Sequence, residues 1–440
     1  MKIKKSFAIL SAFVALVVLA ACGGAGGGGT TAPAAPATGA APAAPAAPAP
    51  AEAGQEPVHL VVWMAGAGDL TQLDAYGEVL SNFVAENPHI TYELTFIAWG
   101  DYFTALNTAL IGGVGPDVFM LGFGQAGTVY AGGDVLDLTP HIPADWDGWD
   151  DFLPNILEIG QIDGRQVALF NPSTRVILYR RDIAEQNGVT ADELNIRTPE
   201  DFYNLVRRMT VFNEAGNVEV FGFDITPAMS SEQELFFQAM MYDPGFTLWD
   251  DNFMPNFNTA DAITAWNMVN TMFEEGYLAL RDAGATAGIQ RGVSSMSMVA
   301  ETAYAVADSM FPGQIGVIRN DMNTLLIGNY KVVNSATRNV QESVDLLLHM
   351  FSVESSVIFA EVMTQYSGRQ SLDNHFVGLN PDFENIIHAY ARSFSYGATF
   401  NPMFNQGIAT LRLALETAFH GTPTADALAT SQAEWSALLN

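Results

Sequence analysis

The chain has 440 residues and one cysteine, Cys22. That excludes an internal disulfide and any zinc site built from several cysteines. A large core makes disulfides dispensable in an exported protein, and 49% of the residues are apolar. Lysine is nearly absent as well: Lys2, Lys4, Lys5 and Lys331 are the whole set. Lys and Arg together number 18 against 48 Asp and Glu, for a formal net charge of -30. Such a field opposes non-specific binding to DNA, RNA or anionic lipid. No run of about 20 uncharged apolar residues crosses a membrane. Catalytic signatures are missing too: there is no Gly-x-Ser-x-Gly elbow, no His-Glu-x-x-His and no Walker loop. Gly66-x-Gly68 lacks the third glycine of a dinucleotide loop, and the seven histidines are scattered without ligand spacing. Met296 and Met298 fit a core strand better than a copper site. No cofactor or metal is expected. Carboxylates are so numerous that counting them leaves a glycosidase pair open.

The first 57 residues have an order of their own. Met1 to Lys5 is basic, Ser6 to Val18 is apolar, and Leu19-Ala20-Ala21-Cys22 closes the run. Small residues before a cysteine suit a processing protease, and the thiolate is the nucleophile that takes a lipid. The stretch resembles the lipobox of bacterial lipoproteins at all four positions. Residues 1–21 therefore read as a signal peptide, and Cys22 as the lipidation site. Loss of Lys2, Lys4 and Lys5 leaves 15 basic residues against 48 acidic ones, and Lys331 as the last lysine. Residues 22–57 read as a glycine run followed by Ala-Pro repeats. Almost no large apolar side chain is present to offset the entropy of folding. Ala-Pro favours an extended spacer. The mature protein is expected to be exported and anchored by lipid to the outer face of the cytoplasmic membrane.

Beyond Val58 the pattern changes. Length alone suggests two or three domains. His59 to Met64 is a buried-strand run, and Leu73, Tyr76, Val79, Leu80, Phe83 and Val84 recur at helical spacing until Asn87-Pro88. Ile90, Tyr92, Leu94 and Phe96 alternate as a strand. A helix carries Phe103, Leu106 and Leu110, and Asp117 to Leu121 is a third strand. Strand, helix, strand, helix, strand implies a parallel, doubly wound α/β sheet. Ligands sit beyond the carboxyl ends of such strands. Trp63, the Trp99-Gly100-Asp101 turn and Gly122-Phe123-Gly124 therefore converge. Val167 to Phe170 and Val176 to Tyr179 read as two apolar runs broken at Asn171-Pro172. Helices are expected at 199–209, 259–273, 404–419 and 424–439.

Several blocks occur in a familiar order: His59 to Trp63 with Phe83 to Pro88; Asp101-Tyr102-Phe103 through Gly115-Pro116-Asp117-Val118, then Gly132 to Pro140; Leu178 to Ile183 with Thr198 to Phe202; Gly292 to Met296; and Ala418 to Pro423. In this order the chain resembles the extracellular solute-binding proteins that feed sugar-type ABC importers, the maltose-binding-protein-like group. The resemblance implies a periplasmic-binding-protein-like fold of two doubly wound α/β lobes joined by a multi-strand hinge. Lobe one would comprise 58–169 plus 317–368, and lobe two 173–314 plus 372–440. The hinge would pass near 170–172, 315–316 and 368–369. It further implies a monomer that captures a small solute, a carbohydrate, by hinge closure and delivers it to ABC importer permease subunits. The departures lie at Met298 to Tyr304, where Glu301 enters and Tyr304 is the nearest aromatic, and at Arg180-Arg181.

Sugars have apolar faces and hydroxyl edges, so a site needs aromatic plates beside hydrogen-bonding groups. On that ground the candidates are Trp63, Trp99, Asp101, Asn171, Trp249, Glu301, Tyr304 and Arg369. Each has a structural alternative: core packing for Trp63 and Trp249, a helix N-cap for Asp101, a carboxylate partner for Arg369. Ser173 stands beside Asn171, Asp117 reads as structural, and Trp266 sits in the stripe Ile263, Trp266, Val269, Phe273 and reads as core. Three functions are open: a lipid-anchored solute receptor, for a sugar or another solute; a surface glycan hydrolase; and an envelope interaction module.

Overall fold

The computed structural model describes residues 56–439 apart from 67–69, 251, 283–284 and 396–399. Residues 1–55 lie outside this range, and with them the signal peptide, Cys22 and nearly all of the tether.

Val58–Ala65, Ile90–Ile97 and Val118–Gly122 form a parallel set, with Val58 opposite Ile90 and Val62 opposite Val118. Leu60, Val62 and Met64 are buried by one face of the first strand. The helix Leu70–Glu86 returns across it, burying Ala75, Tyr76, Val79, Leu80 and Phe83 at helical spacing. It ends where the Asn87 side chain donates to the Phe83 carbonyl, ahead of Pro88. The next helix, Trp99–Ile111, is entered through Ala98, and no side chain caps it. Asp101 is thus inside the first turn and not the N-cap, where its charge complements the helix dipole. Asp117 is structural: its carboxylate accepts from the Val61 N–H at 2.8 Å and from the Thr337 hydroxyl, tying two strands and a later loop together.

Two long strands carry the sheet onward. Leu169–Arg180 is one continuous strand, not two runs. Pro172 lies within it, opposite Gly328 of the strand Thr324–Val333. A Cβ at Gly328 would stand 2.2 Å from the Asn171 carbonyl oxygen, so the glycine lets the backbones approach. Residues 169–174 pair with 326–331, and 175–179 pair with Met296–Ala300, both antiparallel. Thr324–Val333 also pairs through residues 329–333 with Val118–Gly122. The sheet is therefore mixed, and these two strands span both of its halves. Ile315–Val317 pairs with residues 178–180 and stays beside the far half. From there the chain returns through Thr324–Val333, whose residues 329–333 lie beside the first half.

Around the far half pack the helices Pro199–Arg208, Pro227–Tyr242, Ala260–Glu274, Phe404–Phe419 and Thr424–Leu438. Thr198 and Thr259 cap two of them, accepting from Asp201 and Ala262. Trp266 is fully buried there, as its stripe requires. So is Trp435, whose ring lies 5.6 Å from Trp249 and 5.5 Å from Phe253. Among the described residues no single helix is long and apolar enough to cross a membrane.

Candidate binding cleft

A cavity of about 640 Å³ opens where the two halves meet. Chain order explains its first wall. Helices start immediately after the strands Ile90–Ile97 and Val118–Gly122, so Phe96 at the end of one strand gathers with Trp99, Phe103 and Phe123 beyond the strand ends and with Tyr76 from the first helix. Trp99 is 41% exposed and its ring stands 5.9 Å from that of Phe103. Gln72 and Gln125 stand among these rings.

The long strands supply the floor: Asn171, Ser173 and Arg175 from one, and Ile327, Gly328 and Asn329 from the other. The remaining wall comes from Glu232 and Gln233 on Pro227–Tyr242, from Gln290, and from Phe404, Asn405, Ile408 and Arg412 on Phe404–Phe419. Arg412 and Glu232 form a two-pronged pair, Nε to Oε2 and Nη2 to Oε1, each 2.6 Å. Arg175 Nε donates to Gln233 Oε1 at 2.9 Å. Among the described residues, none donates a hydrogen bond to two enclosed amide oxygens of this lining, Asn329 Oδ1 and Gln365 Oε1. Unmet acceptors inside a cleft are costly unless a ligand or water donates to them.

Of the expected site residues, Trp99 and Asn171 line the cavity, and Ser173 lies beside Asn171. The others are elsewhere. Trp63 is half-buried and packs on the core, its carbonyl accepting from the Tyr102 hydroxyl. Asp101 is exposed, beside a separate shallow depression with Thr104 and Thr108. Trp249 is buried between Phe253 and Phe404, so it backs the wall rather than facing the cavity. Tyr304 is buried against Phe383, its hydroxyl accepting from Asn380 at 2.7 Å. Arg369 is 0% exposed and donates to Asp147, Asp151 and the Phe351 carbonyl. The guanidinium is buried while the Asp147 carboxylate stays largely exposed, so the network ties a core arginine to acids nearer the surface. Glu301 lies behind the lining, between Ala300 and Thr302, which both reach the cavity. Burial raises its carboxyl to about 7, although the Tyr390 and Ser173 hydroxyls oppose the shift.

Lining residues that pattern reading passed over include Phe96, Phe103, Arg175, Gln233, Gln290, Asn329, Gln365, Asn405 and Arg412, whereas the Phe123 loop was expected there. One signal was present. Phe404, Ile408 and Arg412 recur every four residues, so a charge sits on an otherwise apolar face.

A mixed sheet with two strands spanning both halves, and a cavity between those halves, defines the periplasmic-binding-protein fold. The chain belongs to the bacterial extracellular solute-binding protein family, whose model matches residues 67–348. It is similar in structure to an ABC transporter solute-binding protein from Thermotoga lettingae bound with α-D-tagatose. There the identity is 15% and the TM-score 0.75, over 87% of this chain and 100% of that one. An ABC substrate-binding protein from Listeria monocytogenes in complex with cycloalternan gives 17%, 0.74, 87% and 99%. The GacH receptor of Streptomyces glaucescens, solved unliganded and with acarbose, gives 15%, 0.73, 88% and 99%. At these identities the likeness is one of fold. The comparison with curated proteins found no match.

Proposed function

We propose that this chain is the solute receptor of an ABC importer and that its cavity takes a carbohydrate. The observation that carries the reading is the lining itself. Six aromatic rings, those of Tyr76, Phe96, Trp99, Phe103, Phe123 and Phe404, share one cavity with amide and guanidinium groups. Apolar sugar faces stack on the former, and hydroxyl edges bond to the latter. Asn329 Oδ1 and Gln365 Oε1 are acceptors on this lining, and sugar hydroxyls donate. The sugars bound by the similar proteins point the same way.

In this reading the halves are two lobes that close on the solute, with the strands Leu169–Arg180 and Thr324–Val333 as the hinge. The lobes are then about 58–169 and 173–314, completed by the segments after the second crossing. The closed receptor is a monomer that docks on the permease. Cys22 carries the lipid, and the Ala-Pro spacer keeps the receptor near its permease at high effective concentration. The ligand-binding set is Trp99, Asn171 and Ser173 with the lining amides. Glu301 and Tyr304 support it from behind.

The test is a thermal-shift and calorimetric titration with maltotriose, α-D-tagatose and cycloalternan, followed by mass spectrometry of the sugar. A receptor gains about 2.7 kcal/mol of stability at ligand concentrations 100-fold above Kd and returns the sugar intact. Released product would support a surface glycan hydrolase instead. No shift with any of the three would overturn the carbohydrate reading.

A further inference from the structure

Glu301 is 0% exposed, and its carboxylate accepts two hydroxyl hydrogen bonds. The Tyr390 hydroxyl donates to Oε1 at 2.7 Å and Ser173 Oγ donates to Oε2 at 3.1 Å. Ser173 lines the cavity, whereas Glu301 does not. A hydroxyl has one proton to give. While Glu301 is ionised its oxygens only accept, so the Ser173 proton is committed to Oε2. Toward the cavity Ser173 then offers lone pairs alone. A proton on Oε2 reverses this bond: the carboxyl O–H donates to Ser173 Oγ, and the serine proton turns toward the cavity.

We propose that Glu301 is a positioning residue whose protonation state decides whether Ser173 accepts from, or donates to, the bound solute. The nature of that solute rests on the carbohydrate reading; the coupling of Ser173 to Glu301 does not. The groups around the carboxyl leave it as the one that changes. Tyr390 is buried and its hydroxyl is raised far above its usual range, so it stays protonated. Tyr366, with its ring 4.8 Å from that of Tyr390, donates its hydroxyl to Asp373. The Tyr304 hydroxyl is turned to Asn380. Arg175 is the charged group that faces Glu301, favouring its ionised form, and its Nη1 also reaches Ser173 Oγ at 3.5 Å. Burial outweighs these effects and brings the carboxyl up to about 7, so the reversal falls near neutral pH.

Two measurements on the full chain test the proposal. In carboxyl ¹³C NMR of labelled glutamate, a resonance absent from Glu301→Gln titrates near neutral pH. Ser173→Ala moves its midpoint upward, because the ionised form loses a donor. A midpoint unmoved by Ser173→Ala overturns the proposal whether or not any sugar binds. In calorimetry, maltotriose affinity changes roughly threefold to tenfold across that titration, the worth of one hydrogen bond. The dependence flattens in both variants. A wild-type affinity that is flat across the midpoint also overturns it. If neither maltotriose, α-D-tagatose nor cycloalternan binds, the carbohydrate reading fails, and the NMR arm alone decides the coupling.

Discussion

Lys331 sits on the strand Thr324–Val333, 1% exposed, with its amine 5.5 Å from the Tyr76 ring and 5.3 Å from that of Phe351. Ring faces attract a cation, but burial dominates and brings the amine down to about 7. Lys331→Met keeps the length and removes the buried charge. It is expected to raise stability at neutral pH by about 1–4 kcal/mol in chemical denaturation; an unchanged or lowered midpoint would mean that the amine is well paired. The sequence showed this lysine as the last of its kind but not that it is buried, since a strand residue's surroundings come from distant helices. The tryptophans divide in a similar way. Trp99 is at the rim and Trp266 in the core. Trp99→Ala should abolish the fluorescence response to maltotriose at little cost in stability. Trp266→Ala should cost about 3–5 kcal/mol. Equal losses of stability in the two would remove Trp99 from the site. Hydrophobic spacing separated these two residues, because a helical stripe is a local property. It did not place Trp249, whose burial depends on Phe404 and Trp435, more than 150 positions further on.

Among the elements, those with a clean period were legible: the three parallel strands, the helices between them and the helices after Thr198 and Thr259. The strand Leu169–Arg180 was not, because Pro172 is a breaker in isolation and is tolerated only opposite Gly328. Half of the cavity followed from the rule that loops at strand carboxyl ends converge. The other half required the helix Phe404–Phe419 to reach the helix Phe123–Ala131, which no local pattern encodes. The turn just ahead of Phe404 makes the closest approach. A Cβ at Gly127 would stand 2.5 Å from the Asn401 carbonyl carbon and 2.6 Å from its oxygen. Backbone cannot swing aside as a side chain does. Gly127→Ala is therefore expected to destabilise by about 1–3 kcal/mol and to weaken maltotriose binding by forcing this junction apart. Gly77, inside Leu70–Glu86, is the control. A Cβ there meets nothing within 4 Å, and Gly77→Ala should stabilise by about 1 kcal/mol through helix propensity. A Gly127→Ala protein as stable as the parent would show that the junction yields freely.

For the molecule as a whole, three buried ionisable groups set an unusual pH profile. Glu234, which accepts from Gln238 at 2.6 Å, and Glu301 are raised by burial from 4.5 to about 7. Lys331 is lowered from 10.5 to about 7. Between 4.5 and 7 the unfolded chain has already released carboxyl protons that the folded chain still holds. Stability therefore falls as pH rises through that window. From 7 to 10.5 the unfolded chain holds an ammonium proton that the folded chain has lost, so stability rises again. Below this range Asp151, Asp182 and Asp321, all held low, lose their contributions as they protonate. Denaturation midpoints at a series of pH values should thus pass through a minimum near neutrality, a valley a few kcal/mol deep, where most proteins have their maximum. Glu301→Gln and Glu234→Gln should each flatten the acid limb, and Lys331→Met the alkaline one. A single broad maximum between about pH 5 and about pH 8 would show that these groups are solvated or paired in solution, and the Glu301 proton would then have no reason to move near neutral pH.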